Sequence, residues 1–179
     1  MNFGGESGLR KIGLGGTHPL TQRYVVGEKM DLSIYKMELL ASEHIKEVTS
    51  LWRESMMEAL GIEPVHSFES QAYFLEHILP SSYQVLVVVR IDNSDPVAFM
   101  ASSETEISQL YVSPKLQRKG IGSYLLSQAK EQSNGSLTLR TFEVNEKAQR
   151  FYRANGFVVR PGNSENEEGL PDLECEWKG

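Results

Sequence analysis

The six residues Gln117-Arg118-Lys119-Gly120-Ile121-Gly122 constrain this chain more than any other segment. They join a strand-like run, Ile107 to Val112, to a helix-like run, Ser123 to Gln132. A strand that turns through glycines into a helix is a cradle for phosphate. Glycine lets a backbone approach an anion closely and reach conformations that other residues avoid. The N–H groups of the first helical turn have no partners inside the helix, and the helix dipole favours negative charge at that end. Arg118 and Lys119 set cationic donors beside the same turn. These residues imply a phosphate-bearing ligand.

Spacing excludes two common phosphate loops. The string G-x-x-x-x-G-K-[ST] does not occur, and Gly120-Ile121-Gly122 lacks the third glycine of a dinucleotide fingerprint. Gly13-Leu14-Gly15-Gly16 follows no strand pattern and has Pro19 close behind, so it reads as flexible chain.

Residues 1–30 carry nearly half of the 15 glycines and little apolar periodicity. They are expected to form a flexible extension ahead of one domain over residues 31–179. Leu32 to Met37 alternates weakly and reads as a first strand. Ser42 suits a helix N-cap, Ile45, Val48, Trp52 and Met56 recur at helical spacing, and Gly61 suits the C-terminal cap. A second helix is predicted from about Ser67 to Leu79, stopped by Pro80.

Val85 to Ile91 is an unbroken apolar, β-branched run and predicts a buried strand. The turn cluster Asp92 to Pro96 and the run Val97 to Ala101 make it a hairpin, and Glu104 to Val112 adds a third strand. Alternation along that strand places Glu104, Glu106, Ser108 and Leu110 on one face. Beyond the phosphate loop come a strand, Leu137 to Phe142, a helix, about Asn145 to Asn155, and a strand, Phe157 to Val159. A polar loop over 161–171 leads to a last strand, Leu173 to Trp177. A meander followed by a β-α-β unit implies an α+β fold with a mixed, mostly antiparallel sheet flanked by helices.

The pattern Q-x-x-G-x-G at Gln117 to Gly122 resembles the acetyl-CoA loop of the GNAT N-acetyltransferases. The run Phe142 to Phe157, with Asn145, Ala148, Phe151-Tyr152 and Gly156-Phe157, resembles that family's later motif. The two segments cover Glu106 to Val159, and the element order from Tyr35 to Trp177 is similar to the family's. The resemblance implies transfer of an acetyl group from acetyl-CoA to an amine with no covalent enzyme intermediate. It implies that Gln117, Arg118, Lys119, Gly120, Ile121 and Gly122 hold the diphosphate. It implies that Leu110, Tyr111 and Val112 pair with the pantetheine arm, that the N–H of Leu110 or a neighbour steadies the oxyanion, and that Asn145 bonds the pantetheine and caps its helix. Tyr152 takes the position of the general acid to the leaving thiolate; a core tyrosine is its other reading. Glu106 is the leading base for the amine, against a solvated strand-end residue, and Glu143 is a weaker alternative. His66 and the acidic loop from Asn166 to Asp172 can face a cationic acceptor, or be plain surface.

A net charge of −6 on 179 residues argues against general nucleic-acid binding. No apolar run reaches the length of a membrane helix, and no secretory signal is visible. The single cysteine, Cys175, suits a reducing cytoplasm and reads as packing. The histidines and cysteine show no metal-ligand spacing, so no metal is expected. The expected partner is a small-molecule or peptide amine, a homodimer is compatible with the sequence, and an acyl-CoA-binding module with little catalysis is the alternative to the enzyme.

Overall fold

The computed structural model describes residues 30–31 and 33–179. The extension expected over residues 1–30 therefore lies, but for Met30, outside the described residues. Met30 is buried in the core.

The described residues form two antiparallel sheets. The first has the order β1-β2-β3-β4, with β1 at Tyr35–Leu39, β2 at Gln84–Arg90, β3 at Pro96–Ser102 and β4 at Ile107–Val112. The second has the order β5-β7-β6, with β5 at Ser136–Phe142, β6 at Val158–Pro161 and β7 at Asp172–Lys178. A parallel bridge between Glu106 and Thr138 joins them, and the N–H of Thr138 donates to the Thr105 carbonyl at 2.9 Å. The arrangement is mixed and mostly antiparallel, as the element order implied.

The run Val85 to Val89 is buried on both faces of its sheet. Leu86 and Val88 join Ala98 and Met100 under helices α3 (Ile121–Gln132) and α4 (Glu146–Ala154). Val85, Val87 and Val89 join Phe99 and Ala101 under helices α1 (Ile45–Leu60) and α2 (Phe68–Tyr73). Each of the Val, Leu, Met and Phe side chains among them contributes about 1.5–3 kcal/mol when fully buried. Among the described residues no helix is long and apolar enough to cross a membrane.

Several boundaries differ from the sequence expectation for local reasons. Strand β1 starts at Tyr35 because Asp31 accepts the N–H (2.9 Å) and the hydroxyl (2.6 Å) of Ser33 in a turn. Strand β4 starts at Ile107 because the Ser103 hydroxyl accepts the N–H groups of Thr105 (3.3 Å) and Glu106 (3.1 Å), which competes with ladder pairing. Pro80 does not stop the second helix. Helix α2 passes into a π turn, Phe74–Ile78, and then a 3-10 turn, Leu79–Ser81, where proline sits in the first turn and no donor is missed.

Candidate active site

Strands β4 and β5 touch at the Glu106–Thr138 bridge and then part into separate sheets. A bulge in β4 accompanies the split. Ala101 opposes Gln109 and Ser102 opposes Ile107, which leaves Ser108 without an opposite residue. The even alternation expected from Glu104 to Leu110 therefore fails. Ile107 and Leu110, three residues apart, pack toward α3 and α4, whereas Tyr111 packs toward α1.

Register decides which backbone groups face the split. The N–H of Ser113 donates to the Val97 carbonyl at 2.8 Å, so the bonded pairs of this ladder are the odd-numbered ones, including Phe99–Tyr111. Leu110 and Val112 turn their N–H and carbonyl groups to the open edge. The Val112 carbonyl there accepts from the Ser55 hydroxyl and from the Gln117 amide, each at 3.4 Å. Tyr111, expected to act through its backbone, is instead paired with β3 and offers its side chain.

The loop from β4 to α3 behaves as its residues suggest. After a 3-10 turn, Pro114–Leu116, Gln117 is extended, Arg118 is held at φ 66°, and Gly120 caps α3 at φ 79°. Left-handed positions of this kind turn neighbouring N–H groups inward as an anion nest. The first helical bond runs from Tyr124 N–H to the Gly120 carbonyl at 2.9 Å, so Ile121, Gly122 and Ser123 keep N–H groups without intrahelical acceptors. Arg118 and Lys119 are exposed beside them. Gly122 serves packing. A Cβ there would lie 3.1 Å from the Phe151 ring and 3.7 Å from Val112, so its absence seats α3 against α4 and β4.

Asn145 caps α4, its Oδ1 accepting from the Ala148 N–H at 3.0 Å. Tyr152, about two turns further on, is 7% exposed and lies between Phe151 (5.2 Å) and Phe157 (5.7 Å). Burial pushes its phenol far above the ordinary range, and the nearby Tyr111 adds to the effect. Burial likewise pushes the Tyr111 phenol up to about 12. Both carry their protons at neutral pH. Tyr111 packs on Trp52 (5.9 Å), whose buried indole N–H has no hydrogen-bond partner.

Glu106 is exposed at the mouth of the split and accepts from the Tyr83 hydroxyl at 2.9 Å. With Thr138, Leu139, Arg140 and Glu174 it lines a cavity of about 160 Å³. Glu143 sits elsewhere, at the start of α4, where its carbonyl accepts from Gln149 at 2.6 Å. His66 and Glu167, 101 residues apart, meet at 2.5 Å and tie the β6–β7 loop to the α1–α2 connection. Cys175 is buried in β7, and burial pushes its thiol up to about 11, which accords with packing. Among the described residues no group of three or more His, Cys, Asp or Glu side chains can hold a metal ion. Sequence reasoning missed Tyr83, Ser55 and the bulge at Ser108. Tyr83 carries no motif, and only its position just before an apolar strand marked it at all.

The parting of β4 from β5, the glycine turn that opens α3 and the likeness to known acetyltransferases make the chain an acyltransferase. Residues 82–159 match the acetyltransferase (GNAT) domain. The peptidyl-lysine N-acetyltransferase YjaB of Salmonella typhimurium is 29% identical over 135 residues, 72% of this chain and 87% of that protein. Apo YjaB from Escherichia coli shares the fold with a TM-score of 0.64 at 22% identity, over 80% of this chain and 95% of that one. The PaiA N-acetyltransferase of Thermoplasma acidophilum, solved with coenzyme A, also gives 0.64 at 22% identity, over 81% and 99% of the two chains.

Proposed function

We propose that the chain transfers an acetyl group from acetyl-CoA to a primary amine by direct attack in a ternary complex. The observation that carries this reading is the open edge of β4, where Leu110 and Val112 present backbone groups that no neighbouring strand pairs, next to the turn that opens α3. These residues fit a CoA thioester. The turn Gln117–Gly122 meets the diphosphate with the N–H groups at the start of α3 and with Arg118 and Lys119. Leu110 and Val112 pair with the pantetheine arm as a further strand pairs with a sheet edge. Asn145, its oxygen committed to the helix cap, offers its NH₂ to the same arm.

The acceptor arrives as an ammonium of pKa about 10.4, and losing its proton at pH 7 costs roughly 4–5 kcal/mol. Glu106 takes that proton. Four strand residues, about 13 Å, separate Glu106 from Leu110, so the transfer runs through water. The amine nitrogen then bonds to the thioester carbon. The Leu110 N–H stabilises the oxyanion, and one such donor contributes about 3–4 kcal/mol in a dry site. The C–S bond breaks, Tyr152 gives its proton to the thiolate, and the acylated nitrogen returns one to Tyr152. An amide, a thiol and one released proton account for every atom.

Two features support a lysine side chain of a peptide as the acceptor. The curated relatives are peptidyl-lysine N-acetyltransferases. The β6–β7 loop carries Glu167 and Glu168, and the charge of Glu168 acts on the Tyr111 phenol, which favours a cationic acceptor. Thiol release from acetyl-CoA, measured with a lysine peptide, a peptide with a free N-terminus, a polyamine and an arylamine, tests this. The lysine peptide should be turned over fastest. Calorimetric CoA binding with no release to any acceptor would replace the enzyme by a binding module.

A further inference from the structure

We propose that Tyr83 is a positioning residue for this reaction: its hydroxyl holds the Glu106 carboxylate at the mouth of the β4–β5 split. The proposal rests on Glu106 being the proton acceptor.

Glu106 needs a tether. It lies in the irregular turn Ser103–Glu106, ahead of the ladder and two residues before the bulge. Its side chain is exposed. A free glutamate side chain in such a place samples many rotamers, and fixing one costs up to about 2 kcal/mol. Tyr83 supplies the restraint with an O–H to Oε2 bond of 2.9 Å.

Tyr83 is itself well fixed. Its N–H donates to the Leu79 carbonyl at 3.1 Å, and its ring packs against the core under α1 and α2. A phenylalanine would fill that packing role equally well, so the hydroxyl has a separate use. Burial first, and then the Glu106 carboxylate, hold the phenol above its ordinary range, while the Ser108 hydroxyl opposes them. Tyr83 is thus a lasting donor, not a competing base. The other charged groups around the Glu106 cavity are Arg140 and Glu174. Arg140 directs Nη1 to Asp172 at 2.7 Å and to Asn163 at 2.5 Å, so its charge is engaged on the loop side. Glu174 repels rather than holds.

The test compares Tyr83→Phe, Glu106→Gln, Glu106→Asp and the double variants, with acetyl-CoA and a lysine peptide. Tyr83→Phe should lower kcat roughly three- to tenfold, the worth of about one hydrogen bond, with KM for acetyl-CoA unchanged. Glu106→Asp, too short to reach the phenol, should lose about as much, and Tyr83→Phe should add nothing in either Glu106 background. Ultraviolet titration of the tyrosines needs no acceptor: Glu106→Gln should lower one phenol transition that Tyr83→Phe removes. Full kcat in Tyr83→Phe beside a slow Glu106→Gln would overturn the positioning role alone, as would losses that multiply in the double variant or a titration in which no phenol responds. Full kcat in Glu106→Gln would remove the base, and this proposal with it.

Discussion

Gly162→Ala is expected to damage the β6–β7 loop more than any other single methyl addition there. A Cβ at Gly162 would lie 2.1 Å from Asp172 Oδ1, 2.8 Å from its Cγ and 3.0 Å from its carbonyl oxygen. No contact so short survives, so Asp172 must move. That side chain is 4% exposed and holds the root of the β6–β7 loop. Its Oδ1 accepts from the Ser164 N–H at 2.9 Å, and its Oδ2 accepts from Arg140 at 2.7 Å. Hydrogen bonds to a charged group contribute about 1.5–3 kcal/mol each, and the half-exposed Arg140 belongs at the low end, so the loss is about 3 kcal/mol. For a chain of this size each kcal/mol moves Tm by about 2–4 °C, so the expected drop is about 6–12 °C by calorimetry. The decisive control is the Asp172→Ala background, where Oδ1 and Cγ are gone, only the 3.0 Å approach to the carbonyl oxygen remains, and Gly162→Ala should change Tm far less. Equal Tm values for Gly162→Ala and the parent chain, or losses that simply add in the double variant, would refute the collision.

The other expectations concern the reaction and pH. Tyr152→Phe should lower kcat about a hundredfold or more, the usual worth of a general acid, and leave CoA affinity by calorimetry nearly unchanged; an unaltered kcat would take the acid role from Tyr152. Gly120→Val should abolish CoA binding, because φ 79° is closed to a β-branched residue and its side chain would crowd the diphosphate; retained affinity would mean that the turn does not hold it. The buried phenols of Tyr111 and Tyr152 both have raised folded pKa values, Tyr111 to about 12, against about 10 unfolded. Their contribution to stability is complete below pH about 10 and falls as pH rises toward 12. Tyr111→Phe should therefore flatten the loss of Tm across that window, and an unchanged slope would contradict the burial of its phenol.

Much of the chain was legible from local pattern. The Val85–Val89 run, the Gly61 cap, the Asn145 cap and the glycine turn into α3 each follow from interactions within a few residues. Their signals survive in the sequence because the physics that produces them is short-ranged. The misreadings also share a cause. Alternation, a rule of unbroken ladders, predicts β4 from Glu104, whereas Ser103 ends the ladder by capturing two N–H groups. The strong effect of proline on an α-helix predicts a stop at Pro80, but the chain has already changed helix type there. Gly122 also seats the Phe151 ring, 29 residues away in sequence, a packing role that no local pattern shows.

The sequence alone determined the alternation of element types, the glycine turn at Gly120 that opens α3 and the Asn145 cap of α4. Tertiary structure decided which backbone groups of β4 are open, because that depends on pairing with β3 and on one extra residue at Ser108. It also decided the surroundings of Glu106. A partner hydroxyl 23 residues away leaves no trace in composition or spacing, since only the folded sheet brings the end of the α2 region to the start of β4.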